Sequence, residues 1–172
     1  MIIRTAQEQD VPGFLGLAAQ VEHWFGPMVA DPGFTRAVRR SIGAGTALVA
    51  SEPGEPGEPG EPGESEEPEE SSSGLLGAVL FGAAPPVHHV HWLVVSDGAR
   101  GRGVGSALLS DAFRRWVRGP ATVEVVTFGA DHPGAVAGGA RVFHERLGFT
   151  PAEPAPPGPE GGSRQVYRRH VP

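Results

Sequence analysis

The chain has 172 residues and a formal net charge of -6, with 14 basic residues, 20 acidic residues and no cysteine. This length favours one domain with its own core. The missing cysteine excludes disulfides, thiolate metal ligands and cysteine nucleophiles. Every basic residue is an arginine, which also excludes a catalytic lysine. No stretch has the apolar length of a signal peptide or a membrane span, so we expect a cytoplasmic protein with no membrane partner.

The acidic residues concentrate in one segment. Residues 52–70 contain nine glutamates and no basic residue, which leaves 11 acidic and 14 basic residues elsewhere. The Glu, Pro and Gly repeats carry too little apolar surface to offset the entropy of ordering. We therefore predict a single domain over residues 1–172 that contains a disordered acidic insert over residues 52–73, with an interaction tether as the alternative. The mildly basic remainder suits an anionic ligand.

Strand and helix patterns alternate along the rest of the chain. IIRTA predicts a strand, DVPGFLGLAAQVEHWFG a helix capped by Asp10, and PGFTRAVRRSIGAG a second, shorter helix. TALVAS and LLGAVLFGA predict a hairpin whose loop holds the insert, and VHHVHWLVV predicts the next strand. A glycine-rich turn then leads into a helix over about 103–118, followed by the strand TVEVVTFG, the helix AVAGGARVFHERLG and the strand RQVYRRHV. The order predicts an α/β fold with a mixed sheet and about four helices.

The glycine-rich turn DGARGRGVGSALL, residues 97–109, lies directly before the best-defined helix. It is one glycine short of the dinucleotide pattern G-x-G-x-x-G, and it lacks the lysine of a P-loop. It does fit R-x-x-G-x-G, from Arg100 to Gly105. Free N–H groups at a helix N-terminus, with no side chain to block close approach, suit a pyrophosphate. A turn with a purely conformational role is the alternative.

Two segments carry a family resemblance. HWLVVSDGARGRGVGSALL resembles motif A of the GNAT superfamily of N-acetyltransferases, and ARVFHERLGF resembles its motif B. Asp97 stands where proline is usual in motif A. The residues that match the two motifs are Leu93, Val95, Arg100, Gly103 and Gly105 in the first, and Ala140, Glu145, Leu147, Gly148 and Phe149 in the second. The resemblance implies a single-domain fold with a mostly antiparallel sheet and splayed central strands.

The resemblance also implies acetyl-CoA as the cosubstrate. Backbone N–H groups of the turn would hold its pyrophosphate, and its pantetheine arm would lie along the strand before the turn. The cofactor-binding residues implied are Leu93, Val94, Val95, Arg100, Gly101, Arg102, Gly103, Val104, Gly105 and Ser106. The N–H of Leu93 would stabilise the developing oxyanion, an effect worth about 3 to 4 kcal/mol where one such donor has been removed in other enzymes.

Histidines on the strand before the turn are candidates for the general base. Side chains alternate along a strand, which predicts that His89 and His91 share the face of Leu93 and that His88 points the other way. Imidazole changes its charge near neutral pH. His89 also stands at the position, on the strand before the oxyanion donor, where members of the family often carry a carboxylate base. Partly buried structural histidines are the alternative. No carboxylate follows at the spacing of a two-histidine metal site, so we predict no metal.

The remaining candidates come from motif B and from the first helices. His144 stands where the family carries a tyrosine thought to protonate the departing thiolate, and a protonated imidazole would make activity fall as pH rises. Glu22, His23 and Trp24 are predicted to line the acceptor pocket, with an aromatic wall and one carboxylate for a cationic amine. Core packing of the aromatic residues is the alternative. Asp131 and His132 are further candidates for the cleft.

Together these features predict an N-acetyltransferase. It would transfer the acetyl group of acetyl-CoA to a primary amine of a small molecule or peptide, directly and in a ternary complex. No nucleic-acid partner is expected, and a homodimer is left open. The alternatives are a non-catalytic acyl-CoA-binding module and an interaction protein that works through its acidic insert.

Overall fold

The structure is a computed structural model that describes residues 1–53, 74–137 and 139–172. Residues 54–73, most of the predicted insert, lie outside the described residues. Within the described ranges the strands are β1 (Ile2–Thr5), β2 (Ala47–Ser51), β3 (Leu75–Gly82), β4 (Val87–Val95), β5 (Ala121–Phe128), β6 (Thr150–Ala155) and β7 (Arg164–Val171). The α-helices are α1 (Val11–Ala19), α2 (Glu22–Phe25), α3 (Pro32–Ala44), α4 (Val104–Trp116), α5 (Pro133–Ala137) and α6 (Ala140–Arg146).

The strands form one sheet in the order β1-β2-β3-β4-β5-β7-β6. Neighbouring strands are antiparallel except for β4 and β5, which run parallel. The parallel pairing joins residues 87–90 of β4 to residues 122–125 of β5 and then ends. Beyond that point the two central strands separate. The predicted mixed, mostly antiparallel sheet with splayed central strands is therefore confirmed.

Strand β4 carries a β-bulge. Trp92 pairs with Leu80 of β3, and Val90 pairs with Phe81, so that His91 is the extra residue. A bulge adds one residue to one strand and thereby shifts the alternation of its side chains. Val90 and Leu93 accordingly pack in the same hydrophobic cluster, although their odd spacing would place them on opposite faces of a regular strand.

Helices cover both faces of the N-terminal part of the sheet. Helix α4 buries Leu108 and Ala112 against one face. Helices α1 and α3 cover the other face, where Trp92 packs between Phe14 and Phe34 with ring-centroid distances of 6.0 and 5.4 Å. Removal of this apolar surface from water is the main force that holds the layers together. The packing of α4 fixes the glycine-rich turn against the end of β4.

Two of the four predicted helices are divided, so the predicted number of helices is too low. The first helix ends at Ala19, and α2 begins after a turn at Val21. The motif B helix is divided at Gly139 into α5 and α6. Asp10 occupies the predicted N-cap position of α1, but its carboxylate makes no capping hydrogen bond to the helix and instead accepts two hydrogen bonds from the Arg4 guanidinium, at 2.7 and 2.8 Å.

Other differences concern the length of α3 and strand β6. Helix α3 has 13 residues against 9 in α1, so it is longer than the first helix and not shorter as predicted. Asp31 caps it by accepting a hydrogen bond from the N–H of Gly33 at 2.8 Å. Strand β6, which was not predicted, lies at the edge of the sheet, where Pro151 and Pro154 are tolerated.

Candidate active site

A cleft opens where β4 and β5 separate. Its volume is about 630 Å³. The strand ends, the glycine-rich turn, α2 and α6 all contribute to its walls. The lining residues are Val21, Trp24, Phe25, Leu93, Val94, Val95, Ala99, Arg100, Gly101, Gly103, Val104, Gly105, Ser106, Phe128, Gly139, Ala140, Val142, Phe143, His144 and Arg146.

The glycine-rich turn forms one wall of the cleft. Gly101 and Gly103 have φ values of 76° and 79°, a left-handed conformation that side chains disfavour, and a β-carbon at either position would face open space. Gly103 caps α4, and the first helical hydrogen bond runs from the N–H of Ala107 to its carbonyl. The N–H groups of residues 104–106 therefore precede the helical bonding pattern. The turn offers unblocked backbone donors at a helix N-terminus, which is the chemistry of an anion site.

The two arginines of the turn differ in position. Arg100 lines the cleft, and one of its guanidinium nitrogens lies 3.3 Å from the Asp97 carboxylate. Arg102 is not among the lining residues, and it pairs instead with Glu52 at 2.5 Å. The predicted contact of Arg102 with the cofactor runs through its backbone N–H, which this ion pair leaves unaffected, and it stays a prediction.

Strand β4 presents backbone groups to the cleft. The N–H of Ser96 donates to the carbonyl of Leu76 on β3, and the carbonyl of Val94 lies 2.9 Å from a β-carbon built at Gly77, also on β3. Amides of successive strand residues point to opposite sides. The N–H groups of Leu93 and Val95 consequently point away from β3, into the gap left by β5.

His144 lies in the cleft wall with only 5% of its surface exposed. Its ring packs near those of Phe143, Phe149 and Tyr167, at centroid distances of 5.1, 5.6 and 6.2 Å. Burial lowers the pKa of His144 from 6.5 to about 4, since apolar surroundings disfavour the imidazolium. Its Nδ1 is buried without a hydrogen-bond partner among the described residues. The predicted protonated imidazole is therefore contradicted, because the side chain is neutral near neutral pH.

The comparisons with known proteins agree with this geometry. Residues 68–151 match a family model described as Acetyltransferase (GNAT) domain. The chain contains a GNAT acetyltransferase domain. No curated protein matches the chain in sequence.

Several solved structures share the fold of this GNAT domain. A ribosomal-protein-alanine N-acetyltransferase from Brucella melitensis has 17% identity and a TM-score of 0.64, over 99% of this chain and 100% of that chain. The PaiA N-acetyltransferase from Thermoplasma acidophilum, in complex with coenzyme A, has 11% identity and a TM-score of 0.65, over 99% and 98%. YncA from Salmonella typhimurium, with its cofactor acetyl-CoA, has 18% identity and a TM-score of 0.64, over 100% and 94%. None of the described helices has the length and hydropathy needed to cross a membrane.

In the GNAT domain the strand histidines lie away from the cleft. Because His91 is the bulge residue, His89 is displaced to the face opposite Leu93, and the predicted shared face is wrong. His89 stacks on His91 at 5.9 Å and lies 3.5 Å from the Glu124 carboxylate, and neither histidine is among the lining residues. His88 is fully buried against Phe81.

The residues predicted to bind the acceptor also differ in whether they line the cleft. Trp24 lines the cleft, whereas Glu22 does not, because its carboxylate accepts a hydrogen bond from the N–H of Met28 at 2.8 Å. His23 is exposed, and its ring lies tilted against that of Trp24 with the centroids 4.6 Å apart. The expected carboxylate for a cationic amine is therefore engaged in shaping the loop after α2.

Asp131 and His132 do not line the cleft either. Asp131 accepts a hydrogen bond from the Ser163 hydroxyl, and His132 stacks on Phe128 at 4.2 Å with its Nε2 3.3 Å from Glu160. Both residues brace the loop before β7. Their predicted place in the cleft is wrong.

Val21 and Phe128 line the cleft although they were not predicted to, whereas Trp24 was predicted. We name Val21, Trp24, Phe25 and Phe128 the aromatic end of the cleft, since they lie together where Phe25 stacks on Phe128 at 4.6 Å. The motif B segment contributes further lining residues that were not predicted, namely Gly139, Ala140, Val142, Phe143 and Arg146. The sequence did indicate the elements that carry most of these residues, because β5 was predicted as a strand and motif B as a helix.

Proposed function

We propose that this GNAT domain is an acetyl-CoA-dependent N-acetyltransferase. It transfers the acetyl group to a primary amine of a small molecule or peptide, directly and in a ternary complex. The observation that carries the proposal is one cleft that combines a helix N-terminal glycine turn with the outward N–H groups of Leu93 and Val95. The first suits a pyrophosphate and the second suits an extended amide-bearing chain.

The proposed cofactor contacts follow the cleft from one end to the other. The N–H groups of residues 101–106 receive the pyrophosphate oxygens, and the Arg100 and Arg146 side chains add positive charge among the lining residues. The pantetheine arm pairs with Leu93 and Val95 as an additional strand, because their amides point into the gap. Val94 and Val104 are also among the lining residues.

The proposed chemistry needs one oxyanion donor and one proton route. The neutral amine nitrogen attacks the thioester carbon, and the carbonyl oxygen takes up negative charge beside the N–H of Leu93. The C–S bond then breaks, and the proton lost by the nitrogen goes to the thiolate sulfur, so that the products are the amide and the thiol. His144 supplies a neutral imidazole with an unpaired buried nitrogen on this wall, suited to a hydrogen bond with the sulfur or a bound water.

The cofactor part of the proposal is tested by a matched pair of variants. A side chain at Gly103 is strained whatever its identity, because φ is 79°. Gly103→Glu and Gly103→Gln share that strain and nearly the same shape, and they differ in a charge placed in the anion site. We expect acetyl-CoA to raise the Tm of the wild-type chain and of Gly103→Gln, and to leave that of Gly103→Glu unchanged. Equal binding by both variants would remove the turn from the proposed site.

Turnover distinguishes the enzyme from its alternative. A non-catalytic acyl-CoA-binding module is favoured by one observation, that within the described residues the cleft lining contains no acidic side chain and His144 is neutral. Release of the free thiol from acetyl-CoA is measured with a thiol reagent against a panel of amines and peptides. Amine-dependent release supports the transferase, and cofactor binding without release supports the module.

The roles predicted for His89 and His91 stay predictions. Since neither side chain lines the cleft, we expect His89→Ala and His91→Ala to lower kcat by less than about threefold, well below the usual 10²-fold or larger loss on removing a general base. Profiles of kcat/KM against pH for both variants check this. A large loss in the His89 variant alone would restore the base assignment.

A further inference from the structure

The chemistry of the aromatic end points to a class of acceptor. We infer that the acceptor binds there as a neutral amine carried on an apolar, ring-sized group, and not as an ammonium ion. This inference rests on the proposed transferase function. The charged groups that face the cleft decide which protonation state of the amine it admits.

Apolar side chains supply the surface of the aromatic end. Val21, Trp24, Phe25 and Phe128 are its members, and Phe128 is 2% exposed in the stacked pair with Phe25. Among the described lining residues the charged side chains are Arg100 and Arg146, both positive. A buried ammonium needs a paired anion or several acceptors to offset its lost hydration. The lining offers it no carboxylate.

The carboxylates near the aromatic end are already engaged. Glu22 accepts a hydrogen bond from the N–H of Met28 at 2.8 Å. Glu160 lies 2.6 Å from the Arg164 guanidinium and 3.3 Å from the His132 ring. Glu160 is already balanced by the Arg164 guanidinium, and Glu22 is not among the residues that line the cleft. Neither acid therefore places a free counter-ion on the cleft wall for a cationic acceptor.

The aromatic faces are also partly occupied by a cation. The Arg164 guanidinium carbon lies 5.4 Å from the ring centroid of Phe25 and 4.7 Å from that of Phe128, and the residue is 8% exposed. Aromatic rings attract cations through their faces, but here a buried arginine already uses that attraction. Because Glu160 balances Arg164, the pair adds no net negative charge. The rings thus act as an apolar wall and not as a cage for a cation.

A neutral acceptor also fits the groups available for proton transfer. His144 is the titratable group other than arginine among the described lining residues, and burial holds its pKa at about 4. Such an imidazole is a weak base, so it removes a proton from an alkylammonium with difficulty. An amine that arrives unprotonated needs no such step. Its surplus proton is released after attack, when the thiolate can accept it.

Binding of matched probes tests the inference without requiring turnover. In the presence of coenzyme A, we compare neopentylbenzene, the neutral carbon isostere, with benzyltrimethylammonium, a permanent cation of the same shape, by quenching of tryptophan fluorescence and by shift of Tm. We expect the neutral probe to bind at least about tenfold more tightly, because the cation loses its hydration without gaining a partner. Equal or tighter binding of the cation would overturn the inference.

Kinetics with two isomeric amines provide the second arm. At pH 7 4-methylaniline is unprotonated, whereas benzylamine is almost wholly protonated. We expect the KM of benzylamine, as total amine, to fall about tenfold per pH unit from pH 7 to pH 9 as its free base increases, while that of 4-methylaniline stays constant. A constant KM for benzylamine would show that the ammonium binds, and would overturn the inference while the transferase function stood.

A charge placed in the aromatic end provides the third arm. Trp24→Glu and Trp24→Gln both remove the indole, and they differ in the presence of a carboxylate on the cleft wall. We expect Trp24→Glu to bind benzyltrimethylammonium at least about tenfold more tightly than Trp24→Gln. Equal binding by the two would mean that a carboxylate was already available to the cation, against the inference. Absence of thiol release with every amine would refute the transferase instead, and the binding arms would still decide this inference.

Discussion

The burial of His144 predicts a specific loss of stability in mild acid. Its pKa is about 4 in the folded chain against an ordinary value of 6.5. Between those two values the unfolded chain binds more protons than the folded chain, so the free energy of unfolding falls as pH is lowered. The contribution is present in full above about pH 6.5 and is lost as pH falls towards 4.

The magnitude follows from the two pKa values. A difference between 6.5 and about 4 corresponds to about 3 kcal/mol when the titration is complete. At pH 4.5 the loss is roughly 2 to 3 kcal/mol, and at pH 5.5 it is about 1 kcal/mol. These are large fractions of the 5 to 15 kcal/mol, roughly, that stabilises an ordinary domain.

The assay compares the wild-type chain with His144→Leu by urea denaturation at pH 7 and pH 4.5. The variant removes the titration and keeps an apolar side chain in an aromatic pocket. Burial also lowers the pKa of His88 and of His91, but these groups are common to both chains and cancel in the difference. We expect the wild-type chain to lose roughly 2 to 3 kcal/mol more than the variant. Equal losses would refute the burial of a neutral His144.

The same charge state predicts the pH dependence of catalysis. A neutral His144 does not change its charge between pH 6 and pH 9, because its pKa lies near 4. The rate with an unprotonated acceptor is therefore expected to stay level across that range. A fall in kcat centred near pH 6.5, present in the wild-type chain and absent in His144→Leu, would instead restore the imidazolium donor that the sequence suggested.

Three further variants test the contacts around the cleft. Glu52→Gln releases Arg102 from an exposed ion pair, and we expect it to tighten coenzyme A binding by less than about fivefold, with the gain lost at high salt in a titration. Glu22→Gln keeps an oxygen acceptor for the loop, so we expect the KM for amines to stay within about twofold of wild type in steady-state assays. Gly105→Ala puts a β-carbon 2.9 Å from the Phe143 ring. We expect the free energy of unfolding, measured by urea denaturation, to fall by about 1 to 3 kcal/mol, and the KM for acetyl-CoA to rise. Wild-type stability would mean that the ring moves freely.

The strand and helix framework was largely predictable from local pattern. Strand β4 spans the nine predicted residues Val87–Val95, and the Leu108 stripe of α4 packs on the sheet as its helical spacing indicates. The anion-binding character of the turn was also readable, because glycine spacing and a following amphipathic helix are local features. Strand β6 was missed because Pro151 and Pro154 interrupt any alternation, and its place at the edge comes from pairing with β7.

The side chains in the cleft were harder to predict than the turn. Glu22 was assigned to the acceptor from its residue type, yet its carboxylate holds the N–H of Met28. Phe128 was overlooked, although it lies at the end of β5 and completes the aromatic end of the cleft. Whether a polar side chain faces a ligand or satisfies the backbone depends on tertiary contacts, which one sequence does not display.

The bulge at His91 connects the failed prediction with the proposed mechanism. On the N-terminal side of the bulge, the carbonyl of Pro86 accepts a hydrogen bond from the N–H of Thr122 on β5, so the backbone groups of even-numbered residues face β5. On the C-terminal side of the bulge, the backbone carbonyl of Val94 faces β3, and the amides of Leu93 and Val95 face the gap between β4 and β5. The extra residue that turns His89 away from Leu93 is therefore the one that aims the Leu93 N–H at the cleft. Without the bulge the amide of Leu93 would be directed to β3, and the proposed oxyanion donor would be lost to the sheet.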